Sequence, residues 1–87
     1  MDSLPEFRRH LGTIIRTNRK RLAISQTVLA ERAAVTRRFI QEIENGRSDV
    51  SLQTLFRLAA GLEMTLTDLC SQLENVMRAE QVRIFSH

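Results

Sequence analysis

Between Thr36 and Glu42 the chain sets Arg37, Arg38, Gln41 and Glu42, long side chains with hydrogen-bonding ends, around Phe39 and Ile40. Their chemistry is recognition rather than bond-making. A guanidinium donates two parallel hydrogen bonds to guanine O6 and N7, a carboxylate accepts from cytosine N4, and a threonine methyl touches the thymine methyl. Arg37 is the strongest candidate for the guanine contact, and Arg38 suits either a base or a phosphate. Glu42 either reads cytosine or screens the arginines one turn earlier. Thr36 combines a helix cap with a methyl group. Bond-making chemistry has no such set: no Ser/His/Asp group or paired carboxylates converge, and there is no Gly-rich phosphate loop, so the reading is not an enzyme. Cys70 is the only thiol, and His10 and His87 lie far from it in sequence, so neither an internal disulfide nor a zinc site is expected, and no cofactor. Such cysteine usage suits a reducing cytoplasm.

Charge supports a polyanionic partner. Residues 1–47 hold ten Lys or Arg against five acids, net +5; residues 48–87 hold three against five, net −2. The alternative is a solvated basic face without a partner, since charge alone is only a prior. Twelve of the thirteen cations are Arg, which favours forked contacts over simple solubility. No apolar run reaches the roughly 18 residues of a membrane span, and no signal peptide is visible after Met1-Asp2. With no Tyr or Trp, the chain lacks the aromatic platform expected of single-stranded RNA binding.

These side chains need short, well-capped helices to aim them. The 87 residues hold only three glycines and one proline, and Leu, Ala, Arg and Glu abound, so an all-α single domain is expected. The caps divide it into five helices. Ser3 opens the first, with Pro5 and Glu6 in its first turn. Ser25 caps a second over about 26–33, and Thr36 caps a third that stops at Asn45-Gly46. Ser51 caps a fourth that Gly61 closes, and Thr65, with Asp68 three residues on, caps a fifth. Residues 81–87 form a tail that frays, extends the fifth helix, or pairs as a strand. Two short helices joined by a tight turn over about 25–45 have the spacing of a helix-turn-helix, whose second helix enters the major groove while the first crosses the backbone. Helical hairpins are common, so spacing alone leaves a role without DNA open.

The stretch from Ile15 to Leu69 resembles the lambda-repressor-like, Cro-type (XRE-type) helix-turn-helix family. The resemblance rests on Arg19, Ile24-Ser25-Gln26, Leu29-Ala30-Glu31-Arg32-Ala33, Val35-Thr36, Ile40, Ile43-Glu44-Asn45-Gly46, Ser51-Leu52-x-x-Leu55, Leu58-Ala59 and Thr65-Leu66-x-x-Leu69. It implies a five-helix DNA-binding domain over 1–80, a homodimer, and binding of a palindromic double-stranded operator by a bacterial or phage regulator of transcription. Carried over residue by residue, it gives Thr36, Arg37, Arg38, Gln41 and Glu42 as the base-reading face. It gives Gln26 a phosphate contact, the alternative being a second capping group. Asn45, Gly46, Arg47 and Ser51 would approach phosphate, Ser51 at a helix N-terminus with free N–H groups. Arg19 and Glu44 match a partly buried ion pair. An aromatic at Phe39 points towards restriction-modification controllers; it packs inward or lies on the DNA surface.

Three positions depart from the family pattern. Ala23 and Ala34 stand where many relatives have glycine, and a left-handed backbone at Ala34 would cost about 1 kcal/mol. Asn18 replaces an apolar residue, which suggests a wetter first helix or a DNA contact. The fifth helix carries Leu69, Leu73, Val76 and Met77 on a regular stripe, read as an extension for dimerisation, the alternative being intramolecular core. A competing function is an antitoxin-type or other protein-binding partner that grips another chain through Val82, Ile84 and Phe85 of the tail.

Overall fold

The computed structural model describes the backbone over residues 4–85 and side chains over residues 6–80. Five helices follow in order: α1 (Leu4–Arg21), α2 (Gln26–Ala33), α3 (Arg37–Glu44), α4 (Leu52–Gly61) and α5 (Leu66–Phe85). The proposed Ser3 cap lies outside the described residues. Of the three conformations open to the tail, the backbone over 81–85 takes the helical one, as the end of α5.

Helix spacing decides which faces turn inward. Leu11, Ile14, Ile15 and Asn18 share one face of α1 and are all buried. They meet Leu29, Ala30 and Ala33 of α2, Ile40 and Ile43 of α3, Leu58 and Ala59 of α4, and Leu69 and Leu73 of α5. Two close approaches involve glycine, and the first requires it. A Cβ on Gly12 would run into the carbonyl oxygens of Ile43 and Glu44, so α1 crosses directly over the last turn of α3. Gly61, expected to close α4, is its last residue and is buried. It is small because a Cβ there would press on Leu29 Cδ1 and Arg32 Cβ, at 3.2 and 3.1 Å, where α4 meets α2.

The helix ends share one device. After α1, α2, α3 and α4 a single residue turns left-handed: Ala23 (φ 57°), Ala34 (φ 57°), Gly46 (φ 72°) and Glu63 (φ 60°). The next N–H then reaches back five residues, as Ile24 to Arg19 O, Val35 to Ala30 O, Arg47 to Glu42 O and Met64 to Ala59 O. This Schellman closure satisfies carbonyls that the helix leaves orphaned. Glycine serves it best, and the chain uses glycine once, accepting about 1–2 kcal/mol of strain at each of the other three positions.

Asn18 is neither wet nor turned towards DNA: it is 4% exposed. Its amide donates to Ile14 O (2.9 Å) and to Gln72 Oε1 (2.8 Å), so a buried polar group is satisfied while α1 is bonded to α5.

Candidate nucleic-acid interface

Ser25 and Thr36 set the angle of the hairpin. Each side-chain oxygen accepts the N–H three residues on, from Val28 (3.1 Å) and from Phe39 (3.0 Å). Ile40 and Ile43 are sunk in the core, and Phe39 is half-buried against it, the inward of its two readings. At about 100° of turn per residue, Arg38, Gln41 and Asn45 then fall opposite Ile40 and Ile43, with Arg37 and Glu42 flanking them. Thr36, Arg37, Arg38 and Asn45 are exposed; Gln41 and Glu42 are half-buried. The Arg37 side chain makes no hydrogen bond or ion pair with any described residue. Arg38 is engaged at one atom, its Nε donating to Glu42 Oε1 at 3.2 Å.

Behind this face lies the ion pair expected of Arg19 and Glu44. Arg19 donates from Nε to Glu44 Oε2 (2.7 Å) and from Nη2 to Oε1 (3.0 Å), a forked pairing, and from Nη1 to Ile24 O (2.9 Å). The side chains are 11% and 4% exposed. The bond to Glu44 outweighs the effect of burial and holds the Arg19 pKa above its ordinary value. Gln26 joins this group, its Nε2 donating to Glu44 Oε1 at 3.1 Å. One amide proton of Gln26 is thus spent inside the protein, and the other remains for an outside acceptor.

The segment between α3 and α4 is held from two sides. Arg8 grips Asp49 through Nε (2.8 Å) and Nη2 (2.7 Å), and this bond lowers the Asp49 pKa. Ser48 Oγ donates to Glu42 Oε2 at 3.2 Å. Arg47, whose exposed side chain has no described partner, therefore sits on an anchored segment beside Asn45 and Gly46. Ser51 caps α4 by accepting from Thr54 N–H (3.1 Å).

The profile of the helix-turn-helix family matches residues 15–69. The chain belongs to that family. Its XRE-type form is the one the residues resemble, and family and fold alike are those of DNA-binding regulators. Among relatives, this helix-turn-helix protein is 39% identical over 51 residues to the control protein C.MunI of a Mycoplasma species, covering 59% of this chain and 69% of that one. Among solved structures, it resembles the clp gene regulator ClgR of Corynebacterium glutamicum with a TM-score of 0.78 at 25% identity, covering 88% of this chain and 82% of that one. It also resembles the restriction-modification controller protein C.AhdI of Aeromonas hydrophila, with a TM-score of 0.69 at 27% identity over 71% of this chain and 94% of that one.

The structure bears on two site assignments of the helix-turn-helix protein for which the sequence left two readings open. Leu69 and Leu73, assigned to a dimer interface, are 1% and 7% exposed within one chain, because the α5 stripe is needed to close the core over α1 and α4. Val76 and Met77 are half-buried at the edge of that core. The large apolar side chains left outside include Leu52 and Phe56, one turn apart on α4. Glu42, read either as a base contact or as a screen for the arginines, has one oxygen on Arg38 and the other on Ser48. Val82, Ile84 and Phe85, assigned to a protein partner, lie outside the described side chains.

Several positioning contacts had no local signal. Arg57 donates to Ala33 O (3.0 Å) at the helix-turn-helix corner, Arg32 to Gly61 O (2.9 Å), and Arg8 to Asp49 across 41 residues of sequence. The group closest to a metal-binding arrangement among the described residues is Glu6, His10 and Glu80, whose ligand atoms lie within 4.8 Å of one another between α1 and α5. Arg9 already supplies the cation there, bonding Glu6 and lying 4.0 Å from Glu80. No described helix is long and apolar enough to cross a membrane.

Proposed function

We propose that the protein is a sequence-specific regulator of transcription that binds a palindromic operator as a homodimer and controls its own promoter, in the manner of a restriction-modification controller. The observation that carries this reading is Arg37: an exposed guanidinium, without a partner among the described residues, at the start of a helix whose opposite face is locked into the core. Arg37 reads guanine, Thr36, Arg38 and Gln41 complete the base-facing set, and Gln26, Asn45, Gly46, Arg47 and the α4 N-terminus at Ser51 hold phosphates on either side. The likeness to C.MunI and C.AhdI, a control and a controller protein by name, supports the controller role.

Leu52 and Phe56, 69% and 58% exposed, support pairing of two copies through α4. Two-fold symmetry would present two α3 helices to half-sites about 34 Å apart. A footprint over the DNA upstream of the protein's own gene tests the proposal, together with sedimentation of the wild type and Phe56→Asp. A protected palindrome and a dimer lost in Phe56→Asp are expected. A folded protein that protects nothing there, or a wild type that sediments as a monomer bound singly to DNA, would overturn it.

A further inference from the structure

We infer that Glu42 is a positioning residue for Arg38 and, through it, a determinant of operator specificity; this rests on the DNA-binding reading above. Glu42 is a poor choice for helix stability. It lies in the last turn of α3, where the helix dipole disfavours an acid, and it follows Arg38 by four residues, the weaker order for an ion pair on a helix. It also sits on the face offered to a polyanion. Glu44, the other acid of that turn, is neutralised by the partly buried Arg19. Glu42 has no such partner behind it and is held from both sides at the surface instead. One oxygen takes Arg38 Nε at 3.2 Å and the other takes Ser48 Oγ at 3.2 Å.

The geometry makes a chain from Ser48 through Glu42 to Arg38. Ser48 stands on the segment that Arg8 pins through Asp49, so the carboxylate is tied to a fixed point. The carboxylate takes only Nε of Arg38, whose side chain is 87% exposed and has no other described bond. The two terminal Nη groups are left to donate end-on, and the swing of a long side chain is limited before DNA arrives. Holding the fork in one place lowers the cost of ordering it and restricts the acceptors it meets. Released, Arg38 reaches any nearby phosphate, which adds affinity without sequence information.

The test measures operator and scrambled-DNA affinity across a salt series for wild type, Glu42→Ala, Glu42→Gln, Arg38→Ala and Arg38→Ala/Glu42→Ala, each shown folded by circular dichroism. Glu42→Ala is expected to lower the operator preference about two- to threefold while tightening binding to scrambled DNA, with the salt slope steeper by about one released phosphate contact. Glu42→Gln keeps an acceptor for Nε and should recover most of the preference. In the Arg38→Ala background, Glu42→Ala should change the preference no further. A full effect of Glu42→Ala without Arg38, confined to one cytosine position, would overturn positioning in favour of direct reading. An unchanged preference in Glu42→Ala, with the wild type still selective, would overturn the Glu42 role alone. A wild type with no preference would remove the DNA-binding reading and this role together, and is recognised in the wild type itself.

Discussion

Removing the Arg19 guanidinium should destabilise the fold by about 3–5 kcal/mol, the cost of breaking a buried ion pair from one side. The pair is partly buried, which places the loss in the lower part of that range. Arg19→Ala deletes two bonds to Glu44, of 2.7 and 3.0 Å, and one to Ile24 O of 2.9 Å. It leaves the Glu44 carboxylate, 4% exposed, with only the Gln26 amide at 3.1 Å. A domain of this size holds roughly 5–10 kcal/mol in total, so the variant would be marginal. Its thermal midpoint should fall by about 15–30 °C. Glu44→Ala should cost less, because the longer arginine stem can carry its charge towards water. Replacing both residues by apolar ones of similar volume, Arg19→Met with Glu44→Leu, should restore most of the loss. Urea unfolding followed by circular dichroism at low and high salt measures all three variants. A loss below about 1 kcal/mol for Arg19→Ala, or one that salt abolishes, is the behaviour of an exposed pair and would refute the burial argument.

Ala34→Gly should stabilise the protein by about 0.5–1 kcal/mol in the same assay, because it relieves a left-handed alanine whose side chain is exposed; a loss of stability would deny the strain. Gly12→Ala should cost about 1–3 kcal/mol, since the added methyl meets the backbone carbonyls of Ile43 and Glu44, and a neutral result would show that α1 can lift away. Bonds from Arg9 and Arg8 lower the pKa values of Glu6 and Asp49 in the folded state. The sign follows: their contribution is complete above the ordinary carboxylate range and drains away as pH falls through the lowered values. The thermal midpoint should therefore drop below about pH 4, and Arg8→Gln should weaken that dependence; identical acid profiles for the two proteins would discount the Asp49 contact.

The helices were legible in the sequence because their signals are local. Ser25, Thr36, Ser51 and Thr65 each cap the helix they precede, and Thr65 and Asp68 exchange hydrogen bonds as their spacing suggested. The Arg19–Glu44 pair was available only through the family resemblance, since nothing local ties residues 25 positions apart. Contacts set by tertiary geometry stayed hidden. Asn18 looked like a wet or DNA-facing departure, and only the packing of α5 shows Gln72 waiting for it. Gly61 was legible as the end of α4, but that its smallness also answers to the approach of α2 was not. The α5 stripe looked too long for one chain, yet the core uses Leu69 and Leu73, and apolar surface is left on α4 at Leu52 and Phe56. Periodicity identifies an apolar face and is silent about what covers it.

Selection of bound sequences from random double-stranded DNA, run in parallel with wild type and Arg37→Ala, is the most direct test of α3 as the reading element. The wild type should enrich a palindrome with half-sites about one helical turn apart, and a guanine in each half-site should lose its enrichment in folded Arg37→Ala, with weak binding to all sequences retained. Enrichment of the same sequence to the same degree by both proteins would contradict the account.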